Sequence, residues 1–161
     1  MTAEEWALAA SVFLSGLAVG LLGMLSAIMR PMLTTMDGRG FRSFMEAFLR
    51  FADHSWGKVY NYAWALGMVF GPIVALVLLW DDPGSTSFVL TAIGLGIVIV
   101  GIWIVSNAWK TPTYKVILAW DPEDMPADWG EVRHRYFTIN AIQLGAAGAA
   151  FALFILALIS L

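Results

Sequence analysis

Four long apolar segments alternate with polar connections along this chain. They span about 6–29, 59–80, 87–109 and 136–161. Each meets or exceeds the ~20 residues that a helix needs to cross about 30 Å of hydrocarbon. Inside lipid, only a helix or a closed barrel satisfies its own backbone hydrogen-bonding groups. The pattern therefore predicts four transmembrane helices that use residues 1–161 as a single membrane domain.

The first connection carries a different pattern. Between about 39 and 52, apolar residues recur at the spacing of one helical face, and charged residues fill much of the opposite face. We predict an amphipathic helix that lies in the membrane interface, with the alternative that it folds over the mouth of the bundle as a lid. The apolar positions of this helix are Phe41, Phe44, Met45, Phe48, Leu49 and Ala52.

The composition supports the membrane class independently of the pattern. The chain is 60% hydrophobic and only 13% charged, about half of the roughly 25% charged residues typical of soluble domains. The absence of cysteine excludes disulfides, iron–sulfur clusters and thiolate metal sites. The predicted fold is an all-α integral membrane protein: a four-transmembrane-helix bundle with an amphipathic interfacial helix between helices 1 and 2.

The charged residues divide the chain into two sides. All nine Lys and Arg residues lie in the two long connections, the second of which is the loop 110–135. By the positive-inside rule, we predict that both long connections are cytoplasmic and both termini lie outside, in the cytoplasmic (inner) membrane. No predicted helix has a charge at its centre, which argues against an ion-coupled transporter. The cations are Arg30, Arg39, Arg42, Arg50, Lys58, Lys110, Lys115, Arg133 and Arg135.

Polar side chains within the helices gather near the predicted cytoplasmic boundary. They are Ser26, Asn61, Asn107, Asn140 and Gln143. Amides at helix crossings often bond one another or a backbone carbonyl, so close packing is one interpretation. The other interpretation is a small-molecule pocket with an aromatic lining. Aromatic residues that form a belt at the lipid headgroups would produce the same sequence pattern. For the pocket, the predicted ligand-binding residues are Asn61, Asn107, Trp109, Trp129, Arg133, Tyr136 and Gln143.

The two histidines are the first place to look for a metal or a haem. His54 and His134 lie one in each predicted cytoplasmic connection. Glu131 and His134 form a single Glu-x-x-His, which places both on one helical face, but di-iron bundles need this motif twice. Neither histidine is predicted to face the inside of the bundle, where a haem would be clamped. We therefore predict no metal site and no cofactor, and we expect no nucleic-acid partner.

A set of short motifs spreads over most of the chain. It comprises Pro31, Leu33, Asp37, Phe41 and Met45, and later Asn107, Pro112, Leu118, Trp129, Tyr136 and Asn140. With these residues the chain resembles the anthrone oxygenase-like family of small four-helix membrane proteins, many without an assigned function. Family members commonly carry Arg three residues after the last Asn, where this chain has Gln143. The resemblance implies oxygenation of an electron-rich polycyclic phenol to a quinone without an obvious cofactor, with amides or cations stabilising the phenol oxyanion.

A second resemblance is local. The segment 56–71, WGKVYNYAWALGMVFG, and the segment 107–112 are similar to stretches of subunit I of cytochrome bd-type quinol oxidases. The haem-ligating histidine expected within the first helix of that subunit is absent here. The predicted topology also puts the 107–112 segment on the opposite side. The resemblance therefore implies a haem-free relative that serves as an accessory subunit.

Two hypotheses of different classes follow. In the first, the protein is a cofactor-independent, oxygenase-like enzyme that acts on an aromatic or quinol-type small molecule at the cytoplasmic end of the bundle. His134 is then the predicted catalytic base, and Asn140 is a catalytic residue that orients the substrate. In the alternative, the protein is a non-catalytic accessory or scaffold subunit of a larger membrane complex, such as a respiratory one. It would then dock a partner membrane subunit, or another copy of itself, through its glycine seams and amphipathic helix.

Overall fold

Five helices make up the fold of the computed structural model, which describes residues 1–161 and contains no strand. Four of them, α1 (Ala3–Thr34), α3 (Ser55–Leu78), α4 (Thr86–Leu118) and α5 (Trp129–Ile159), are long and apolar enough to cross a membrane. The shorter α2 (Gly38–Ala52) lies between α1 and α3. The prediction of an all-α chain with four helices of transmembrane length is therefore confirmed.

The long helices run alternately in opposite directions, so α1 and α4 end where α3 and α5 begin. In the bundle, α1 packs against α3 and α5, and α4 packs against α3 and α5. All nine Lys and Arg residues lie at the end formed by α2 and the connection 119–128, and we call this the basic end. The opposite end has a small core around Leu8, Ala75 and Ala157. A larger central core lies between the two ends.

Two helices extend beyond their predicted ends, and each continues through a proline. The sequence predicts ends at about 29 and 109, whereas α1 and α4 each continue by at least another turn. A π-helical segment comes just before each proline, Leu25–Met29 before Pro31 and Ser106–Lys110 before Pro112. A proline ring collides with the carbonyl four residues earlier in an α-helix. The wider π turn gives that carbonyl room, so each helix continues.

The last helix begins earlier than predicted. The sequence predicts its start at about 136, but α5 begins at Trp129, so the loop 110–135 shortens to the connection 119–128. Its first two turns are amphipathic: Val132 and Phe137 are buried, whereas Glu131 and Arg135 are exposed. A hydropathy value averaged along the chain does not detect a helix of this kind, because the charged residues offset the apolar ones in the average. Glu131 in the first turn also interacts favourably with the positive end of the helix dipole.

Glycines set the close approach of α3 to α1. A Cβ atom on Gly67 would lie 2.5 Å from Leu14 Cδ1, and one on Gly71 would lie 2.7 Å from Ser11 Oγ. These two glycines form a small-residue seam on α3 that lets the two backbones approach closely. On α1 the seam is only partly used, because a Cβ on Gly20 would meet no atom within 4 Å.

The helix α2 covers the basic end of the bundle. Phe41 and Met45 are fully buried in a cluster with aromatic and aliphatic residues of α1, α4 and α5. None of the six residues on the predicted apolar face of α2 is exposed. Arg42 fastens the helix by donating from Nε to the carbonyl of Trp120 at 2.9 Å, and Arg39 pairs with Glu123 at 3.2 Å. The apolar face thus packs on the bundle, as in the lid arrangement.

Candidate ligand-binding site

Four residues of α4 lie in one row at the basic end. Ile102, Ser106, Lys110 and Tyr114 are spaced four apart, and all of them line the same internal cavity. In a regular α-helix each step of four residues turns the side chain by about 40°, so three steps would carry Tyr114 away from the face of Ile102. Here α4 is π-helical over nearly all of 99–110. The wider turn offsets this rotation and keeps the row aligned.

The cavity that this row lines, which we call the inner cavity, has a volume of about 330 Å³. All five helices contribute to its wall, and most of the wall is apolar or aromatic. Such a volume and lining are typical of pockets that hold small organic molecules. Residues from the individual helices include Leu22 and Leu25 of α1, Phe48 of α2, Trp64 of α3, Tyr114 of α4 and Gln143 of α5.

A short hydrogen-bonded chain crosses the inner cavity from α4 to α5. Lys110 Nζ donates to Gln143 Oε1 at 2.8 Å. Gln143 Nε2 in turn donates to Ser106 Oγ at 2.7 Å and to the carbonyl of Ile102 at 3.3 Å. These bonds fix the orientation of the Gln143 amide, because both of its donor bonds and its acceptor bond go to α4. The amide therefore holds the Lys110 ammonium in the cavity.

The charge of Lys110 has no acidic partner. The ion pairs of the protein use Glu5, Glu46, Asp53 and Glu123, and none of them involves Lys110. An ammonium group has three N–H donors, and the Gln143 oxygen accepts from only one. Moving a cation out of water is costly unless an anion compensates it. The arrangement is therefore suited to an anionic group of a ligand.

A groove on the side of the bundle joins the inner cavity. It has a volume of about 320 Å³, runs between α3 and α4, and is called the α3–α4 groove below. Its outer part is formed by Tyr62 and Ala65 of α3 and by Trp103 and Asn107 of α4. The residues that line both the groove and the inner cavity are Asn61, Trp64, Ile102, Ser106, Lys110 and Tyr114. Lys110 is thus accessible from both spaces.

Three of the predicted ligand-binding residues lie on these spaces. Gln143 lines the inner cavity, Asn61 lines both spaces, and Asn107 lines the groove. Asn61 Nδ2 donates to the carbonyl of Ala52 at 3.3 Å, which ties α3 to the end of α2. Asn107 Nδ2 donates to the carbonyl of Trp103 at 2.8 Å, within its own helix. The predicted polar cluster is therefore partly a pocket and partly a set of packing contacts.

Arg133, Trp129 and Trp109 lie elsewhere. Arg133 Nη1 donates to three carbonyls at the end of α1, the shortest bond being to Met36 at 2.8 Å. Its guanidinium stacks 4.5 Å above the ring of Trp129. Arg133 thus closes the C-terminal end of α1, where carbonyls lack helical partners. Trp109 is 54% exposed and faces a separate groove between α4 and α5, which also includes Arg135.

Tyr136 and the two predicted catalytic residues do not line the inner cavity or the α3–α4 groove. Tyr136 is buried, with its ring centre 5.9 Å from that of Tyr114. Asn140 is buried one turn further along α5, and its Oδ1 has no hydrogen-bond donor. His134 is exposed beside Arg30 in a shallow surface groove. No group of three or more His, Cys, Asp or Glu side chains could hold a metal ion.

Sequence reasoning missed Lys110 and Ser106 as site residues. The sequence pattern places Lys110 only among the cations that set the topology, because the apolar segment ends at Trp109. The four-residue spacing from Ile102 through Ser106 and Lys110 to Tyr114 is visible in the sequence. In a regular α-helix residues four apart are neighbours, but the row turns by about 40° at each step. The π-helical turns that keep Ile102 and Tyr114 on one face are not visible in the sequence.

No family model, curated protein or solved structure matches this chain. Its function is therefore inferred from the chemistry of the site. A fixed ammonium next to oriented amides stabilises an oxyanion, because these groups are already in position before the negative charge forms.

Proposed function

We propose that the protein binds an anionic aromatic small molecule, of the hydroxyquinone or quinol type, in the inner cavity. The oxyanion of the ligand accepts hydrogen bonds from Lys110. The observation that carries this proposal is a lysine ammonium in a largely apolar cavity, bonded to Gln143 and paired with no carboxylate.

The aromatic character of the ligand is argued from the walls of the cavity. Trp64, Tyr114 and Phe48 contribute rings to the lining, and leucines of α1 form the opposite side. Aromatic side chains interact favourably with flat aromatic ligands by offset stacking or edge-to-face contact. A ligand with one ionised oxygen and fused rings satisfies both the ammonium and the rings.

The reaction that fits this site is oxygenation by dioxygen of an ionised hydroxyaromatic compound that carries a ring CH₂ group, and a hydroxyquinone is the product. A ring CH₂ group becomes a carbonyl, one oxygen atom of O₂ enters the product, and the other leaves as water. The ionised substrate supplies the electrons, and Lys110 stabilises the negative charge on its oxygen. This reaction class agrees with the resemblance to the anthrone oxygenase-like family.

The orientation proposed for the bundle has the basic end in the cytoplasm. Its support is the presence of all nine Lys and Arg residues at that end. Because the chain has no cysteine, single cysteines can test it in intact cells. A membrane-impermeant maleimide should label Gly84→Cys, in the connection between α3 and α4, and spare Asp124→Cys at the basic end. The reverse pattern would overturn the orientation.

The binding test uses lawsone, a hydroxynaphthoquinone that is an anion at neutral pH, and measures quenching of tryptophan fluorescence. A hydrogen bond to a charged group contributes about 1.5–3 kcal/mol, which corresponds to roughly 10- to 150-fold in Kd. Lys110→Met should therefore weaken binding at least about tenfold. Lys115→Met, at an exposed position on the same helix, is the matched control and should change Kd less than about twofold.

The result that would overturn the proposal is equal binding by the wild type and Lys110→Met. Absence of binding by the wild type, together with a second protein that always co-purifies in equal amount, would instead support the accessory-subunit alternative.

A further inference from the structure

The α3–α4 groove leads from the side of the bundle to Lys110. We propose that the ligand enters the inner cavity from the membrane through this groove, as an amphiphile with an anionic aromatic head and an apolar chain. This inference rests on the proposed function, since it takes Lys110 as the site of the head.

The first argument is the continuity of the two spaces. The groove is lined only by residues of α3 and α4, both of which are long and apolar enough to cross a membrane. Its outer lining is exposed: Tyr62 on α3 is 58% exposed, and Asn107 on α4 is exposed as well. A groove between two such helices opens towards lipid. The half-buried Lys110 lies at its inner end.

The second argument is that α2 covers part of the inner cavity at the basic end. Phe48, Leu49 and Ala52 of α2 line the cavity there, beside Tyr60 of α3, which is 47% exposed. The helix is held in this position at the Ala52 carbonyl, which accepts from Asn61, and at Arg42, which donates to the Trp120 carbonyl. No residue of α2 lines the groove, so α2 does not cover the groove.

The third argument is the space beside Lys110. The groove has a volume of about 320 Å³ and shares six lining residues with the inner cavity. This space accommodates an apolar chain when the aromatic head is in the inner cavity.

The experiment blocks either the groove or the outer face of α2 after the protein has folded. Ala65→Cys lies in the outer groove, and Phe51→Cys, at an exposed position of α2 that lines neither space, is the matched control. The chain has no other cysteine, so each variant takes a bulky thiosulfonate reagent at one position, and a reductant removes it. Labelling is verified by mass spectrometry. The probe is lawsone with an undecyl chain, delivered in liposomes, and the rate of tryptophan quenching is recorded.

Labelling Ala65→Cys should slow binding of the probe at least about tenfold, and reduction should restore the rate. Labelling Phe51→Cys should change the rate less than about twofold. An unchanged rate after labelling Ala65→Cys overturns the inference, and slowing at Phe51→Cys alone places the entrance at α2.

The unlabelled variants separate this inference from the proposed function. If unlabelled Ala65→Cys binds the probe like the wild type but labelling has no effect, only the route is wrong. If neither the wild type nor unlabelled Ala65→Cys binds the probe, the proposed function fails, and the route fails with it.

Discussion

Lys110 Nζ lies 2.8 Å from Gln143 Oε1, and this contact joins α4 to α5 inside a cavity that contains no carboxylate. Gln143 Nε2 donates to Ser106 Oγ and to the carbonyl of Ile102, and these bonds orient the amide oxygen towards the ammonium. A neutral amide orients the ammonium without neutralising it. The positive charge therefore remains available to a ligand.

Exchanging this amide for a carboxylate should inactivate the site. Gln143→Glu would form an ion pair with Lys110, because Gln143 Oε1 already lies 2.8 Å from Lys110 Nζ. We expect lawsone to bind at least about tenfold more weakly. Gln143→Met keeps the length without the charge and should retain binding within about fivefold. Isothermal titration in detergent measures both variants, and unchanged affinity in Gln143→Glu would contradict the role of the free ammonium.

Removing the ammonium should stabilise the ligand-free protein. A half-buried cation without an anion destabilises the folded state, and methionine fills a similar volume without a charge. For Lys110→Met we expect a gain of roughly 1 kcal/mol, or about 2–4 °C in apparent Tm for a chain of this size. Thermal unfolding followed by circular dichroism measures the shift. A clear decrease in Tm would mean that Lys110 is needed for folding rather than for binding.

Tight helix packing predicts opposite effects at two glycines of α4. A Cβ on Gly101 would overlap Ala146 of α5, whereas one on Gly96 would meet nothing within 4 Å. Gly101→Ala should destabilise the protein by about 1–3 kcal/mol, because neither backbone can move aside easily. Gly96→Ala should be neutral or stabilising by up to ~1 kcal/mol, because alanine favours the helix. Equal Tm values for the two variants would exclude this packing.

Arg133 should matter for stability through the end of α1. Its guanidinium bonds the carbonyls of Leu33, Thr34 and Met36 and covers Trp129. Arg133→Met leaves the carbonyls of Thr34 and Met36 without this donor, and we expect a cost of about 1–3 kcal/mol. Arg135→Met, at an exposed neighbour, is the control and should change Tm by less than about 1 °C. The account of Arg133 fails if both variants unfold at the same temperature.

The class of the fold was readable from the sequence because membrane-spanning length depends only on local hydropathy. The amphipathic helix α2 and its buried face were also readable, because the spacing of its apolar residues is a local feature of the sequence. The ends of α1 and α4 were not readable from the sequence. A proline can end a helix, or it can be accommodated by a π turn before it, and the surrounding packing decides between the two. Gly20 and Gly67 look alike in sequence, yet only Gly67 meets a neighbouring helix.

The site was only partly readable from the sequence. Asn61 and Gln143 were found because amides are rare in apolar helices. Lys110 was not, since a lysine at the end of an apolar segment usually reaches the headgroups. Arg133 was expected to bind a ligand, but it bonds α1 instead. These outcomes depend on contacts between residues distant in the chain.

The most direct test of the central claim is the absorption spectrum of bound lawsone, whose anion and neutral form differ in colour. If Lys110 holds the oxyanion, lawsone bound to the wild type should remain mostly anionic at an acidic pH where free lawsone is half protonated. Lawsone bound to Lys110→Met should have a smaller anionic fraction at the same pH. An anionic fraction that is the same in both proteins would contradict the account.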